Sequence, residues 1–186
     1  KTIPELPEQK RERFVIEYNL PEYDAGVLTS SRELANYFEK CTSLFSKPKT
    51  ISNWIMGDLL RELNKSNQAI SKCPVSPNAL VNLLKLIDEG VISGNIAKSV
   101  FEEMYQTGKE PTAIIDEKGL KQITDDKAID KMVEGVLQAN LSQVDEYKRG
   151  KEKVLGFLVG QVMKVSKGKA NPGTVNKLLK EKISGM

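Results

Sequence analysis

Lys164, Lys167, Lys169 and Asn171 fall together in Lys164-Val165-Ser166-Lys167-Gly168-Lys169-Ala170-Asn171-Pro172-Gly173. Three lysines flank a glycine, and Asn-Pro then gives a helix-start signal. Helix N-termini present unpaired amides and a partial positive charge, which suits phosphate. Lysine adds point charges that neutralise backbone phosphates without reading bases. An ordinary solvated loop has the same composition, so both readings stand. A Walker A loop is excluded: Ala170 follows Gly168-Lys169 where Ser or Thr is required, and the upstream glycine is out of register.

Just before this loop, Gly156 and Gly160 lie four apart and share one helix face. Glycine costs about 1 kcal/mol in a helix interior relative to alanine, so two of them point to something approaching that face. A neighbouring helix or a nucleic-acid surface would account for them. The run Lys148-Arg149-Gly150-Lys151-Glu152-Lys153 lies a helix length upstream. It is either a solvated face or the far end of the same basic surface.

Other chemistry is poorly supplied. The chain has no histidine, which removes Ser-His and Cys-His nucleophiles and His metal sites. Cys41 and Cys73 form no C-x-x-C pair and read as two buried thiols of a reduced, cytoplasmic chain. Carboxylates are scattered at helix-surface spacing, none in an apolar setting that would tune its pKa. We therefore assign no catalytic and no metal-binding residue.

Charge is uneven along the 186 residues. Residues 147–186 hold ten Lys or Arg and two Glu, a net of +8, whereas residues 1–146 net −5. A basic tail on a mildly acidic body points to a polyanionic partner. No apolar run approaches the 18 residues of a membrane span, and no signal peptide is present.

The elements that must position these residues all read as helices. Pro7 to Tyr18 has helical spacing. Ser30-Ser31-Arg32-Glu33 is a capping-box pattern ahead of the stripe Leu34, Tyr37, Phe38 and Cys41. A helix opens at Pro48 or Thr50 with Ile51, Trp54, Ile55, Leu59 and Leu63 inward, and residues 64–71 read as a loop. Ser76-Pro77 starts the next helix, which Gly90 stops; Ser93 starts another, which Gly108 closes. Residues 110–119 are the best linker candidate. Beyond it, Thr124-Asp125-Asp126 caps a helix, Ser142-x-x-Asp145 starts a short one, residues 151–166 form the next, and Asn171-Pro172 starts the last. No strand pattern and no repeat of 20–50 residues is present. The fold class is all-α: a helical bundle domain followed by a smaller all-helical tail domain.

The same residues carry a family resemblance. Residues 156–164 (Gly-Phe-Leu-Val-Gly-Gln-Val-Met-Lys), then Lys167-Gly168-Lys169-Ala170-Asn171-Pro172, then Val175-Asn176-Lys177-Leu178-Leu179 resemble the C-terminal signature of the B subunits of bacterial aspartyl/glutamyl-tRNA(Asn/Gln) amidotransferases. Tyr23-Asp24-Ala25-Gly26-Val27-Leu28-Thr29, Asn53-Trp54-Ile55-Met56 and Gly90-Val91-Ile92-Ser93-Gly94 agree with it. Leu141 departs, since the family often has proline after the asparagine; this touches one helix start.

The resemblance implies a ligase acting in translation, which amidates misacylated Glu-tRNA(Gln) and Asp-tRNA(Asn) with ATP and glutamine. It implies ATP and Mg²⁺ in a catalytic cradle upstream of Lys1, no cofactor within this chain, and A and C subunits as partners. Residues 1–35 would connect from that missing cradle, 36–112 form the helical domain, and 113–186 form a basic tail domain holding tRNA(Gln) or tRNA(Asn). The chain itself would not be catalytic. On this reading Lys151, Lys164, Lys167, Lys169 and Asn171 contact the tRNA, and Gly156 and Gly160 allow close approach. The alternative is a protein-interaction module that docks other subunits or a synthetase.

Overall fold

The computed structural model describes residues 5–123 and 126–185. Its described residues are helical apart from turns and loops, with no strand beyond one isolated parallel bridge between Ile123 and Ala170. The chain divides into two compact units. One comprises residues 1–88 and 98–117, the other residues 89–97 and 118–186.

The first unit holds α1 (Pro7–Tyr18), α2 (Glu22–Leu28), α3 (Arg32–Leu44), α4 (Pro48–Trp54), α5 (Leu60–Lys65), α6 (Pro77–Asp88), most of α7 (Gly94–Thr107) and nearly all of α8 (Pro111–Lys118). Apolar residues at i, i+3 and i+4 give α3 and α6 buried stripes that water would otherwise cover. Phe14 and Phe38 are fully buried with ring centres 5.0 Å apart. Trp54 meets Phe101 edge-on at 5.9 Å, and the Tyr37 hydroxyl donates to Val75 O at 2.9 Å. Tyr37 and Phe38 are thus buried in the core, and Trp54 is half-buried against Phe101.

Four local expectations need correction. Residues 48–65 are not one regular helix: a π-helical turn, Ile55–Leu59, separates α4 from α5. The segment expected as a linker is the helix α8, because Ile114 and Ile115 are buried and anchor a complete turn. At α3 only the hydroxyl half of the capping box forms. Ser31 is the N-cap and accepts from Leu34 N at 3.1 Å, which places Leu34, not Glu33, at the third helical position. Finally, two carboxylates are buried. Asp24 accepts from Lys49 (2.6 Å) and Ser52 (3.0 Å), and Asp58 pairs with Arg61 at 3.1 Å. Each is compensated by a cation, as a buried charge must be.

The thiols are free. Burial pushes the Cys41 thiol up to about 12, while Cys73 is half-buried.

The second unit packs α9 (Asp126–Ala139), α10 (Leu141–Lys148), α11 (Lys153–Val165) and α12 (Pro172–Gly185) around Ile129, Val133, Val144, Leu158, Val162, Val175 and Leu179. The expected cap Thr124-Asp125 lies outside the described residues. α10 starts at Leu141 after Asn140, whose side chain donates back to Val136 O instead of capping forward. Among the described residues no helix is long and apolar enough to cross a membrane.

Candidate nucleic-acid interface

α11 is the element that orients the site. Leu158 and Val162, four residues apart, are fully buried and fix its inner face. At about 100° per residue, Gly156, Gly160 and Lys164 then fall on the opposite side. All three are exposed or half-exposed. A methyl group built at Gly156 or Gly160 would meet nothing within 4 Å. The neighbouring-helix explanation for these glycines thus finds no helix among the described residues. What they produce is a strip of bare helix backbone that ends at Lys164, with Phe157 half-exposed beside it.

The strip runs into a tightly defined loop. α11 closes with Gly168 N donating to Met163 O (2.8 Å) and Lys167 N donating to Lys164 O (3.1 Å). This is the two-bond C-terminal motif in which the residue after the cap turns left-handed. That residue is Lys167, at φ +52°, followed by Gly168 at φ +76°. Glycine is the usual occupant, because a side chain there costs about 1–2 kcal/mol. Keeping a lysine where glycine is favoured points to a use for its charge. Among the described residues none forms an ion pair with Lys164, Lys167 or Lys169.

Asn171 has a definite task. Its Oδ1 accepts from Gly173 N (2.8 Å) and Thr174 N (3.2 Å), capping α12. Two of the amides expected to meet phosphate are therefore already engaged. Lys151 stands apart from the loop. It is exposed, precedes α11 and pairs with Glu146 at 3.3 Å. Thirteen residues separate it from Lys164, roughly 20 Å of helical rise. Gly156, Gly160 and Lys164 thus share one exposed face of α11, Lys167, Lys169 and Asn171 follow in the loop beyond it, and Lys151 precedes the helix.

Sequence reasoning placed Gly90–Gly94 with the first bundle, but this turn packs on the lysine loop. Ser93 Oγ donates to Gly168 O at 3.3 Å. Residues 122 and 123 pack there too: Gln122 N donates to Val91 O and Ile123 N donates to Lys169 O, both at 2.7 Å. These contacts join positions up to 75 apart, and no local pattern announces them.

Charge follows the same division. The unit of residues 89–97 and 118–186 holds fourteen Lys or Arg against nine Asp or Glu, a net of +5, whereas the other unit holds fourteen against sixteen, a net of −2. No three His, Cys, Asp or Glu among the described residues come together to hold a metal ion.

An all-helical module with one basic, side-chain-poor helix face is the class this geometry defines. Comparison with known proteins supplies the family. The family described as "GatB domain" matches residues 36–183, and the chain belongs to it. The chain is 55% identical over 184 residues to the B subunit of the aspartyl/glutamyl-tRNA(Asn/Gln) amidotransferase of Caldanaerobacter subterraneus subsp. tengcongensis, covering 99% of this chain and 39% of that protein. It is 57% identical over 184 residues to the corresponding protein of Geobacter sp. (strain M21), covering 98% and 38%. The chain thus spans about two-fifths of the length of these relatives.

Proposed function

We propose that this chain is the tRNA-holding portion of an amidotransferase B subunit, and that its α11–α12 surface grips the RNA backbone. The observation that carries this reading is the bare Gly156–Gly160 strip leading into three lysines without ion-pair partners among the described residues. Folded RNA is recognised largely through backbone and shape, which such a surface suits. Gly156 and Gly160 let a sugar-phosphate strand approach the helix backbone. Lys164, Lys167 and Lys169 neutralise phosphates, and Lys151 extends the track. Asn171 holds the loop by capping α12.

On the same reading the substrates are Glu-tRNA(Gln) and Asp-tRNA(Asn), and the partners are the A and C subunits of a cytoplasmic enzyme. Chemistry resides elsewhere. On this reading ATP and Mg²⁺ serve a catalytic cradle outside the two-fifths of the B subunit that this chain matches. A second reading, subunit docking, draws on the acidic unit, where Ile16 and Tyr23 are 81% and 74% exposed.

Binding of the chain to a tRNA(Gln) transcript across a salt series tests the proposal. Affinity should fall steeply with salt, by a slope of about 0.7–0.9 per phosphate contact. Replacing Lys167 and Lys169 by Glu should weaken it strongly while helicity is retained. Equal affinity of that variant would remove the loop from the interface. Capture of the A and C subunits without tRNA binding would favour the docking reading instead.

A further inference from the structure

The lysine loop is held by more than its own capping bonds. Its backbone is tied down by two segments remote in sequence, and one side chain joins both. In the amide orientation that satisfies both its groups, Gln122 Nε2 donates to Gly90 O at 2.7 Å and Gln122 Oε1 accepts from Asn171 N at 3.2 Å. The flanking backbone repeats the connection, with Gln122 N on Val91 O and Ile123 N on Lys169 O. Gly90 is left-handed at φ +71°, the turn that aims its carbonyl at Gln122.

We propose that Gln122 is a positioning residue for RNA binding: it clamps Asn171, and with it Lys167 and Lys169, onto the Gly90–Ser93 turn, so that affinity depends on an amide that need not touch RNA. The inference rests on the reading of the loop as the RNA grip and adds to it the residue that sets the loop's geometry. Three features support it. Asn171 N is the last backbone donor before α12, since Pro172 has none. Lys167 sits in a conformation that a lysine does not prefer by itself. Gln122 supplies a donor and an acceptor together, which neither Leu nor Glu can do at neutral pH.

The test is a double-mutant cycle on the 186-residue chain with a tRNA(Gln) transcript, run where the circular dichroism of every variant matches the parent. Q122L removes both bonds at similar volume. In the parent background it should lower affinity about three- to tenfold and reduce the salt slope by about one contact. In a K167Q/K169Q background it should cost nothing further, because its effect passes through those lysines. Q122E, which loses the donor to Gly90 O and adds a negative charge at the lysine loop, should bind no better than Q122L.

Equal losses in both backgrounds would make Gln122 a general structural residue and overturn the proposal, as would an unchanged slope in Q122L. Failure of the parent chain to bind the transcript at all would instead overturn the underlying reading of the loop, which keeps the two failures apart.

Discussion

The backbone amide of Gly168 donates to the carbonyl of Met163 at 2.8 Å, and the closure it completes turns Lys167 left-handed. A residue that stays at the position it fits least gives a test in which stability and function move oppositely. Lys167→Gly should raise stability by about 1 kcal/mol, because glycine adopts this conformation without the Cβ penalty. The same variant should bind tRNA more weakly, with the salt slope reduced by about one contact. Thermal melts and binding isotherms on one preparation read both signs. A stabilised variant with full affinity would show that the Lys167 charge is idle.

Gly156 and Gly160 support a parallel expectation with a different cause. Nothing lies within 4 Å of a methyl group at either position, so alanine fits without strain. Each Gly→Ala change should stabilise α11 by up to about 1 kcal/mol. If RNA backbone lies against this strip, the added methyls must weaken binding, by about 1 kcal/mol or roughly fivefold for the pair. Unchanged affinity of the double variant would remove close approach from the mechanism and leave the lysines alone.

The first unit has its own electrostatic signature. Arg13 donates to Glu5 at 2.7 Å and to Glu39, which also accepts from Lys10 at 2.9 Å. Burial alone would raise the Glu39 carboxyl, but the hydrogen bonds from Arg13 and Lys10 outweigh it and hold it below its ordinary value. The Arg13 hydrogen bond likewise lowers Glu5. A depressed carboxylate contributes stability above its unfolded pKa and loses it as pH falls through its folded one. The packing of α1 against α3 should therefore weaken on acidification below about pH 4.5. Glu39→Gln should flatten that dependence in a melting series from neutral to acidic pH; an unaltered slope would place the acid sensitivity elsewhere.

Much of this was legible because it is written locally. Ser76-Pro77 and Asn171-Pro172 start α6 and α12 where the cap-then-proline signal puts them, with Ser76 Oγ accepting from Ala79 N and Asn171 Oδ1 from Gly173 N. The stripe Leu34, Tyr37, Phe38 and Cys41 is buried as its spacing requires. The π turn at Ile55–Leu59 escaped notice because it keeps the apolar periodicity of a helix while changing only which carbonyl each amide meets. α8 escaped because Glu110-Pro111 and Gly119 read as linker punctuation, although Pro111 is also a favoured first helical residue. The clamp on the lysine loop had no local signal. Gly90, Gln122 and Asn171 are each ordinary in their own neighbourhoods and meet only when the chain has folded.

Asn171 separates capping from contact. Its Oδ1 serves two amides of α12, so Asn171→Ala should destabilise the second unit by about 1 kcal/mol. Asn171→Asp should not, since aspartate caps as well and its negative charge is favoured by the helix N-terminus. That charge, however, lies beside Lys167 and Lys169 and opposes phosphate. Asp should therefore leave the melting temperature at or above the parent value and still reduce tRNA affinity, whereas Ala should lower stability first and affinity only as the loop loosens. Melting curves and salt-dependent binding of the two variants decide between these roles. If Asp binds as tightly as the parent, no phosphate comes near the start of α12, and the RNA track ends at Lys167.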